Sequence, residues 1–163
     1  SDDPTKTVMK QMVDLHNDKN SSVVSVMKVE DRDVQKYGIA EAVEFNNNDW
    51  FKVKSLVEKP QYKDTPSRWA LTGRYVLSGN IFKFLKNAKP GVQGEIQLTD
   101  SMDLLSKEQG MWALCLKALR LDAGDKFGYL RANIEMALRD KEVRSEMLEY
   151  IAEIVKREKG PFA

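Results

Sequence analysis

The chain has 163 residues, 42% of them apolar and 31% charged, the composition of a water-facing globular domain with a real core. Lys plus Arg (26) nearly cancels Asp plus Glu (25), leaving a net charge of +1. That balance excludes the broad basic surface of a nucleic-acid or anionic-membrane binder, so any phosphate must be gripped locally by a few placed cations and backbone N–H groups.

The chain opens on Ser1-Asp2-Asp3 ahead of Pro4, an acidic pair that reads as a cut at the mouth of a site. Val8, Met12 and Leu15 then recur at helical spacing, with Pro4 suited to the first turn. Val23 to Val29 is short and β-branched, a buried strand. Asp31 to Lys36 reads as a polar turn or a single helical turn. Gly38 to Phe45 alternates, with Ile39, Val43 and Phe45 against Glu41 and Glu44, as a strand with one wet face does. Asn46 to Asp49 has turn chemistry, and Trp50 to Glu58 returns as the second strand of a hairpin.

Gln61 to Arg68 is a polar loop, and Trp69 to Leu77 another strand. Ser78 is placed to cap a helix carrying Ile81, Phe82 and Leu85 that ends before Lys89-Pro90-Gly91. Gly94 opens a segment in which Leu98, Met102 and Leu105 follow helical spacing, and its Glu95-to-Asp100 stretch suggests a capping box or a solvated turn. Met111 to Leu121 reads as strand, with a bend near Lys117. Asp125 caps a helix through about Arg139, and a last amphipathic helix runs from about Glu142 to Glu158. Strands mixed with helices at these lengths predict an α/β fold with a mixed sheet, because the hairpin excludes a purely parallel one.

Cys115 is alone within an apolar run and reads as a buried core thiol, so neither a disulfide framework nor a thiolate metal cluster is expected. His16, the one histidine, lies in a helical pattern as a surface or boundary residue and cannot build a zinc site. No run of about 18 apolar residues occurs and no signal peptide opens the chain, which points to the cytosol.

Three places carry candidate chemistry. Glu58-Lys59-Pro60 closes a strand, and a residue before proline is expected to be extended, which would preset the Lys59 backbone. Glu58 can accept hydrogen bonds from two sugar hydroxyls and Lys59 can neutralise a phosphate; equally, the two can be an ordinary surface ion pair. Asp122-Ala123-Gly124-Asp125-Lys126 follows a predicted strand and precedes a helix, which puts Asp122 at the carboxyl edge of the sheet, where α/β folds bind ligands. It can hold Mg²⁺, which takes one or two protein carboxylates and keeps water and phosphate oxygens. Asp122 and Asp125 read equally well as turn and cap residues. Tyr37-Gly38 offers a glycine where backbone can approach a ligand, or simply a turn.

In order, the chain shows Asp2-Asp3, Tyr37-Gly38-Ile39, Val57 to Pro60, Gly73 to Leu77, Lys89-Pro90-Gly91, Gly94-Glu95-Ile96-Gln97-Leu98-Thr99-Asp100, and Asp122-Ala-Gly-Asp-Lys-Phe-Gly-Tyr129. This series resembles the bacterial UTP–glucose-1-phosphate uridylyltransferases from their central metal-binding aspartate to the C-terminus. The resemblance implies the C-terminal part of a Rossmann-like nucleotidyltransferase fold: residues 1–163 as the sugar-phosphate-binding half, with C-terminal helices from about 126. It implies Asp2 and Asp122 as ligands of Mg²⁺, Glu58 as acceptor of glucose hydroxyls, and Lys59 on the phosphate of glucose 1-phosphate. Gly38 would meet the sugar through its backbone, and Glu95 would lie near the site. Ala123 stands where many members carry cysteine.

The family's glycine-rich, Arg- and Lys-containing loop for the UTP phosphates has no counterpart here, so the isolated chain is expected to be inactive. Loss of the strands that precede Asp2 in the family is expected to open a sheet edge. The long C-terminal helix is expected to make a subunit contact in a homo-oligomer. Two other readings are another sugar-1-phosphate nucleotidyltransferase, such as one forming dTDP-glucose, and a noncatalytic regulatory or assembly subunit.

Overall fold

The structure is a computed structural model that describes residues 7–46, 49–91, 94–117 and 119–160, with the backbone alone for 44–46. Asp2, Asp3 and Pro4 therefore lie outside the described residues. The chain divides into two compact units, Ser1–Ala118 and Leu119–Ala163.

In the first unit, α1 (Val8–Lys19) is capped by Thr7, whose hydroxyl accepts from the Lys10 N–H at 3.3 Å. Its Met12 and Leu15 pack with Val23 and Leu114 of the sheet. The helix ends in left-handed Asn20, a residue that tolerates that backbone. Lys19 at this end lies 4.4 Å over the Trp50 ring, and Trp50 meets Trp112 edge to face at 5.0 Å. A contact of this kind is worth about 0.5–1 kcal/mol at a partly exposed site.

Five strands follow: β1 (Ser22–Lys28), β2 (Gly38–Asn46), β3 (Trp50–Glu58), β4 (Trp69–Val76) and β5 (Met111–Cys115). The β2–β3 hairpin and the β1–β4 and β2–β4 pairs are antiparallel, while β1–β5 is parallel, so the sheet is mixed as the sequence implies. Three residue pairs, Trp50–Leu114 to Lys52–Trp112, then join β3 to β5 and close the ring β1-β4-β2-β3-β5. Among the described residues each strand has a neighbour on both sides, so the open edge expected from the sequence is not found. The closure is local. β2 meets β4 through Ile39 and Ala40 alone, and β3 meets β5 through its first three residues.

Two polar arrangements accommodate breaks in the ladder. Gly73, at φ 82°, bulges β4 against β1, and buried Ser25 answers by bonding Thr72 and donating to the Arg74 carbonyl at 3.0 Å. At the irregularity of the β2–β3 hairpin, the Glu41 carboxylate accepts from Lys54 at 2.7 Å and Ser55 at 2.8 Å. Those donors hold the Glu41 carboxyl below its usual range, Lys54 foremost.

Helix α2 (Ile81–Lys86) starts two residues later than the sequence suggests. Ser78 serves the turn before it, accepting from the Asn80 N–H, while its own N–H donates to Ser22 Oγ at 3.0 Å. Helix α3 (Leu98–Gln109) has no side-chain cap, so the expected capping box is absent. The expected strand from Met111 to Leu121 stops at Cys115. The Cys115 N–H goes to the Asp49 carbonyl and the Leu116 N–H to Val26, after which β3 no longer runs alongside, although β1 continues to Lys28. The Cys115 thiol is buried, and burial, with help from Asp49, pushes it up to about 11.

The largest core cluster lies between the sheet and α2–α3, with Phe51, Met102, Leu105 and Met111 fully buried. Each such side chain contributes about 1.5–3 kcal/mol by leaving water. In this cluster α3 covers the stretch of β3 that β5 does not reach. There the Leu56 N–H has no strand partner and is taken by the Asp103 carboxylate at 2.8 Å, while Lys107 pairs the other oxygen at 2.6 Å.

In the second unit, α4 (Lys126–Ala137) is capped as expected by Asp125, which accepts from the Gly128 N–H at 2.7 Å, and α5 (Arg144–Glu158) follows. Neither helix contains a buried residue. Among the described residues no helix is long and apolar enough to cross a membrane.

Asp103→Ala should lower stability in urea unfolding by about 1–3 kcal/mol, the cost of stranding a buried N–H. Asp103→Asn keeps an acceptor oxygen and should recover most of the loss. Equal losses for both would mean that the contact to Leu56 contributes nothing.

Candidate active site

The last residues of β3 bring Glu58 to the place where β2 begins. Gly38 pairs with Glu58 across the hairpin, and the next N–H, from Lys59, donates to the Tyr37 carbonyl at 3.1 Å. From the other side comes the first turn of α3: Thr99 Oγ1 donates to Glu58 Oε2 at 2.6 Å. Glu58 is well covered, its side chain 12% exposed, and Thr99 is buried. Lys59 Nζ stands 3.9 Å from Glu58 Oε1 with its side chain 32% exposed, a loose pairing that leaves the ammonium available to a ligand.

Gly38 permits a close packing that a side chain would disturb. A Cβ there would lie 2.8 Å from Leu71 Cδ1 and 3.0 Å from both Glu58 Oε2 and Thr99 Oγ1. Any side chain would push apart the carboxylate and its donor.

The Lys59 backbone corrects the sequence expectation. Instead of the extended form favoured before proline, Lys59 has φ +43°, in the left-handed region. The bond to Tyr37 holds its amide at the sheet margin, and the turn lets Pro60 reach a buried position. A lysine in this conformation costs about 1–2 kcal/mol, and strain of this kind collects at functional sites.

The loop that follows is tied down by Asp31, which pairs with Arg68 Nε and accepts from the Tyr62 hydroxyl at 3.0 Å. The Arg68 hydrogen bond and then the Tyr62 hydroxyl hold the Asp31 carboxyl below its usual value of 3.8.

In the second unit Asp122 sits in a turn. Its Oδ1 accepts from the Gly124 N–H at 3.0 Å, and Arg120 Nη1 lies 3.4 Å from Oδ2. Because β5 ends at Cys115, Asp122 does not close a strand as the sequence suggested. What fixes its place is α4: a Cβ at Gly128 would stand 2.3 Å from the Asp122 carbonyl oxygen, so the glycine permits turn and helix to touch. The Asp122 carboxylate is about half exposed and offers hard oxygen, and one such group is what Mg²⁺ takes from a protein when phosphate and water fill the rest. Among the described residues no three His, Cys, Asp or Glu side chains converge. Asp122 thus fits as a partial donor, while the other predicted ligand, Asp2, lies outside the described residues.

Glu95 is exposed and precedes α3, its carbonyl accepting from the Gly91 N–H at 2.8 Å. Among the described residues no hydrogen bond or ion pair ties its carboxylate to Glu58 or Lys59. The residue that sequence reasoning missed is Thr99. Its signal was present, since Thr99 stands three residues before Met102 and seven before Ser106, on the edge of the inward stripe of α3.

A family model described as nucleotidyl transferase matches residues 1–138. The chain belongs to the nucleotidyl transferase family. Among curated nucleotidyl transferases, UTP–glucose-1-phosphate uridylyltransferase 2 of Streptococcus pyogenes is 36% identical over 151 residues, covering 93% of this chain and 50% of the relative. A crystal structure of UDP-glucose pyrophosphorylase complexed with UDP-glucose matches with a TM-score of 0.79 at 34% identity, over 86% of this chain and 52% of that one. The UTP-bound UGPase from Acinetobacter baumannii matches with the same TM-score of 0.79 at 28% identity, over 94% and 52%. The chain spans about half the length of the curated relatives it matches.

Replacing Lys59 by glycine should relieve the left-handed strain. Set against the greater chain entropy of glycine, the net gain should be a few tenths to about 1 kcal/mol in thermal or urea unfolding. A loss of stability would show that the position is unstrained.

The Asp31 tether has a defined pH window. Its folded pKa lies below 3.8, so the contribution is complete above that value and is lost as the pH falls through the lower one. Amide exchange at Asp64, bonded to the Gln61 carbonyl, should accelerate over that window, and Asp31→Asn should abolish the acid dependence.

Proposed function

We propose that, within the full-length protein, this chain supplies the sugar-phosphate-binding half of a UTP–glucose-1-phosphate uridylyltransferase. The observation that carries the reading is the covered Glu58 carboxylate beside a loosely paired Lys59 ammonium, with a glycine across the hairpin that lets carboxylate, Thr99 and backbone pack closely. Its relatives, among them an enzyme crystallised with UDP-glucose, support the nucleotide and sugar named.

An oxygen of the glucose 1-phosphate group attacks the α-phosphorus of UTP in line. A P–O bond forms there as the bond from the α-phosphorus to the bridging oxygen breaks, and pyrophosphate leaves with that electron pair. The nucleophile is already anionic at neutral pH, so no general base is needed. His16, whose Nδ1 lies 2.8 Å from the Ser21 carbonyl at the far end of α1, has no part to play. Glu58 accepts from sugar hydroxyls and orients the ring, while Lys59 places and partly neutralises the phosphate. Positioning and electrostatics then supply most of the acceleration.

Mg²⁺, held by Asp122 and Asp2, would neutralise charge on the phosphates. The exposed apolar residues of α4 and α5, such as Phe127, Leu130 and Tyr150, support a homo-oligomeric contact through these helices. The unpaired Cys115 thiol suits the reducing cytosol.

In the full-length protein Lys59→Ala should raise the KM for glucose 1-phosphate and lower turnover by at least about tenfold, the cost of one charged hydrogen bond. Wild-type rates at subsaturating sugar phosphate would remove Lys59 from the phosphate. A preference for dTTP over UTP in the same assay would favour the thymidylyl relatives instead.

A further inference from the structure

We infer that Thr99 is a positioning residue for sugar recognition: its hydroxyl locks the Glu58 carboxylate in the orientation that receives the sugar, an inference that rests on the role of Glu58 proposed above. Left alone, the terminal torsion of a glutamate is broad and nearly two-fold, so a carboxylate at a strand end samples many planes. A carboxylate meant to accept from two hydroxyls at fixed spacing cannot be allowed that freedom. Thr99 removes it with a 2.6 Å bond to Oε2. Among the described residues Oε1 takes no hydrogen bond, and the second lone pair of Oε2 also remains for a ligand.

Thr99 can do this because it is itself fixed. Its β-branched side chain is stiff about χ1 and buried to 6% exposure. One helical turn further on, Asp103 of the same face is bonded to the Leu56 N–H, two residues before Glu58 on β3. Helix α3 thus grips β3 at two points in register, one on the backbone at Leu56 and one on the side chain of Glu58. The first sets the distance between helix and strand, and the second sets the carboxylate. Gly38 completes the arrangement, since a methyl group there would press on both members of the pair at 3.0 Å.

The test is a double-mutant cycle in the full-length protein, read by calorimetry with glucose 1-phosphate and by steady-state rates. Thr99→Val should weaken glucose 1-phosphate binding about tenfold, with KM rising by the same factor and the KM for UTP unmoved. Thr99→Ser, which keeps the hydroxyl, should stay within about threefold of the parent, and it covers the case in which the valine variant folds poorly. In a Glu58→Ala background the further change Thr99→Val should cost less than about twofold, because the group it positions is gone. The same tenfold loss in both backgrounds, a loss shared equally by UTP, or no loss at all overturns the positioning role. If Glu58→Ala alone leaves glucose 1-phosphate binding intact, the sugar role of Glu58 falls, and the inference about Thr99 falls with it.

Discussion

The candidate site depends on how α3 is fastened to the end of β3. A strand that leaves its neighbour must find another partner for its amides, because a buried N–H without an acceptor costs more than a bond gains. β5 accompanies β3 only from Trp50 to Lys52, and the Asp103 carboxylate takes over at Leu56. The helix that provides this acceptor is thereby held against the strand with Met102 and Leu105 in the core. Its first turn then falls beside Glu58, which is why a hydroxyl and a carboxylate far apart in sequence meet at 2.6 Å. The contact that takes over where β5 leaves off also builds the site.

Strain and steric need sit on the opposite side of that contact. Lys59 adopts a left-handed backbone and a side chain at Gly38 would crowd its neighbours, two demands that fall one position apart at the end of the hairpin, where Gly38 pairs with Glu58. The strain does not help the fold, since an extended lysine would cost less. Both are explained if the margin of the sheet is shaped for something that approaches it. The left-handed turn redirects the chain at the point where the Lys59 side chain departs, and the absent Cβ leaves backbone facing the Glu58 carboxylate. Conformations of this kind persist where the surroundings over-determine them. Here the Tyr37 carbonyl and buried Pro60 do so from either end of the turn.

Much of this was legible in the sequence where the signal was local. Alternation and β-branching placed the hairpin to within a residue, Asp125 announced the start of α4, and the apolar run around Cys115 announced a buried thiol. What failed was whatever depended on a distant partner. The chain after Cys115 is apolar enough for a strand, but β3 begins at Trp50, opposite Leu114, and offers no neighbour beyond it, while β1 runs on to Lys28 without β5; composition does not record where a partner strand begins. The Glu95-to-Asp100 stretch resembled a capping box, but α3 starts at Leu98 and its cap position is Gln97, which makes no side-chain cap. Thr99 serves Glu58 on another element, which only the packing of α3 on β3 decides. The same holds for Lys59, where the rule for residues before proline yields to the tertiary demand of the Tyr37 bond.

Charge supplies the last constraint. With a net charge of +1, the chain has no long-range field to draw in a dianionic sugar phosphate, and salt would screen what field there is within about 8 Å at physiological strength. On the proposed function, affinity must then come from close contacts formed in a partly covered site, where each is worth more than at the surface. This favours a site in which the attracting cation is held back from its own carboxylate neighbour. At 3.9 Å, Lys59 and Glu58 are close enough to attract and too far apart to satisfy each other. A shorter pair would have to be broken before ligand could bind, and the energy of that break would be subtracted from affinity. By occupying Oε2, Thr99 satisfies the carboxylate without spending the lysine, which leaves the charge of Lys59 free for a phosphate.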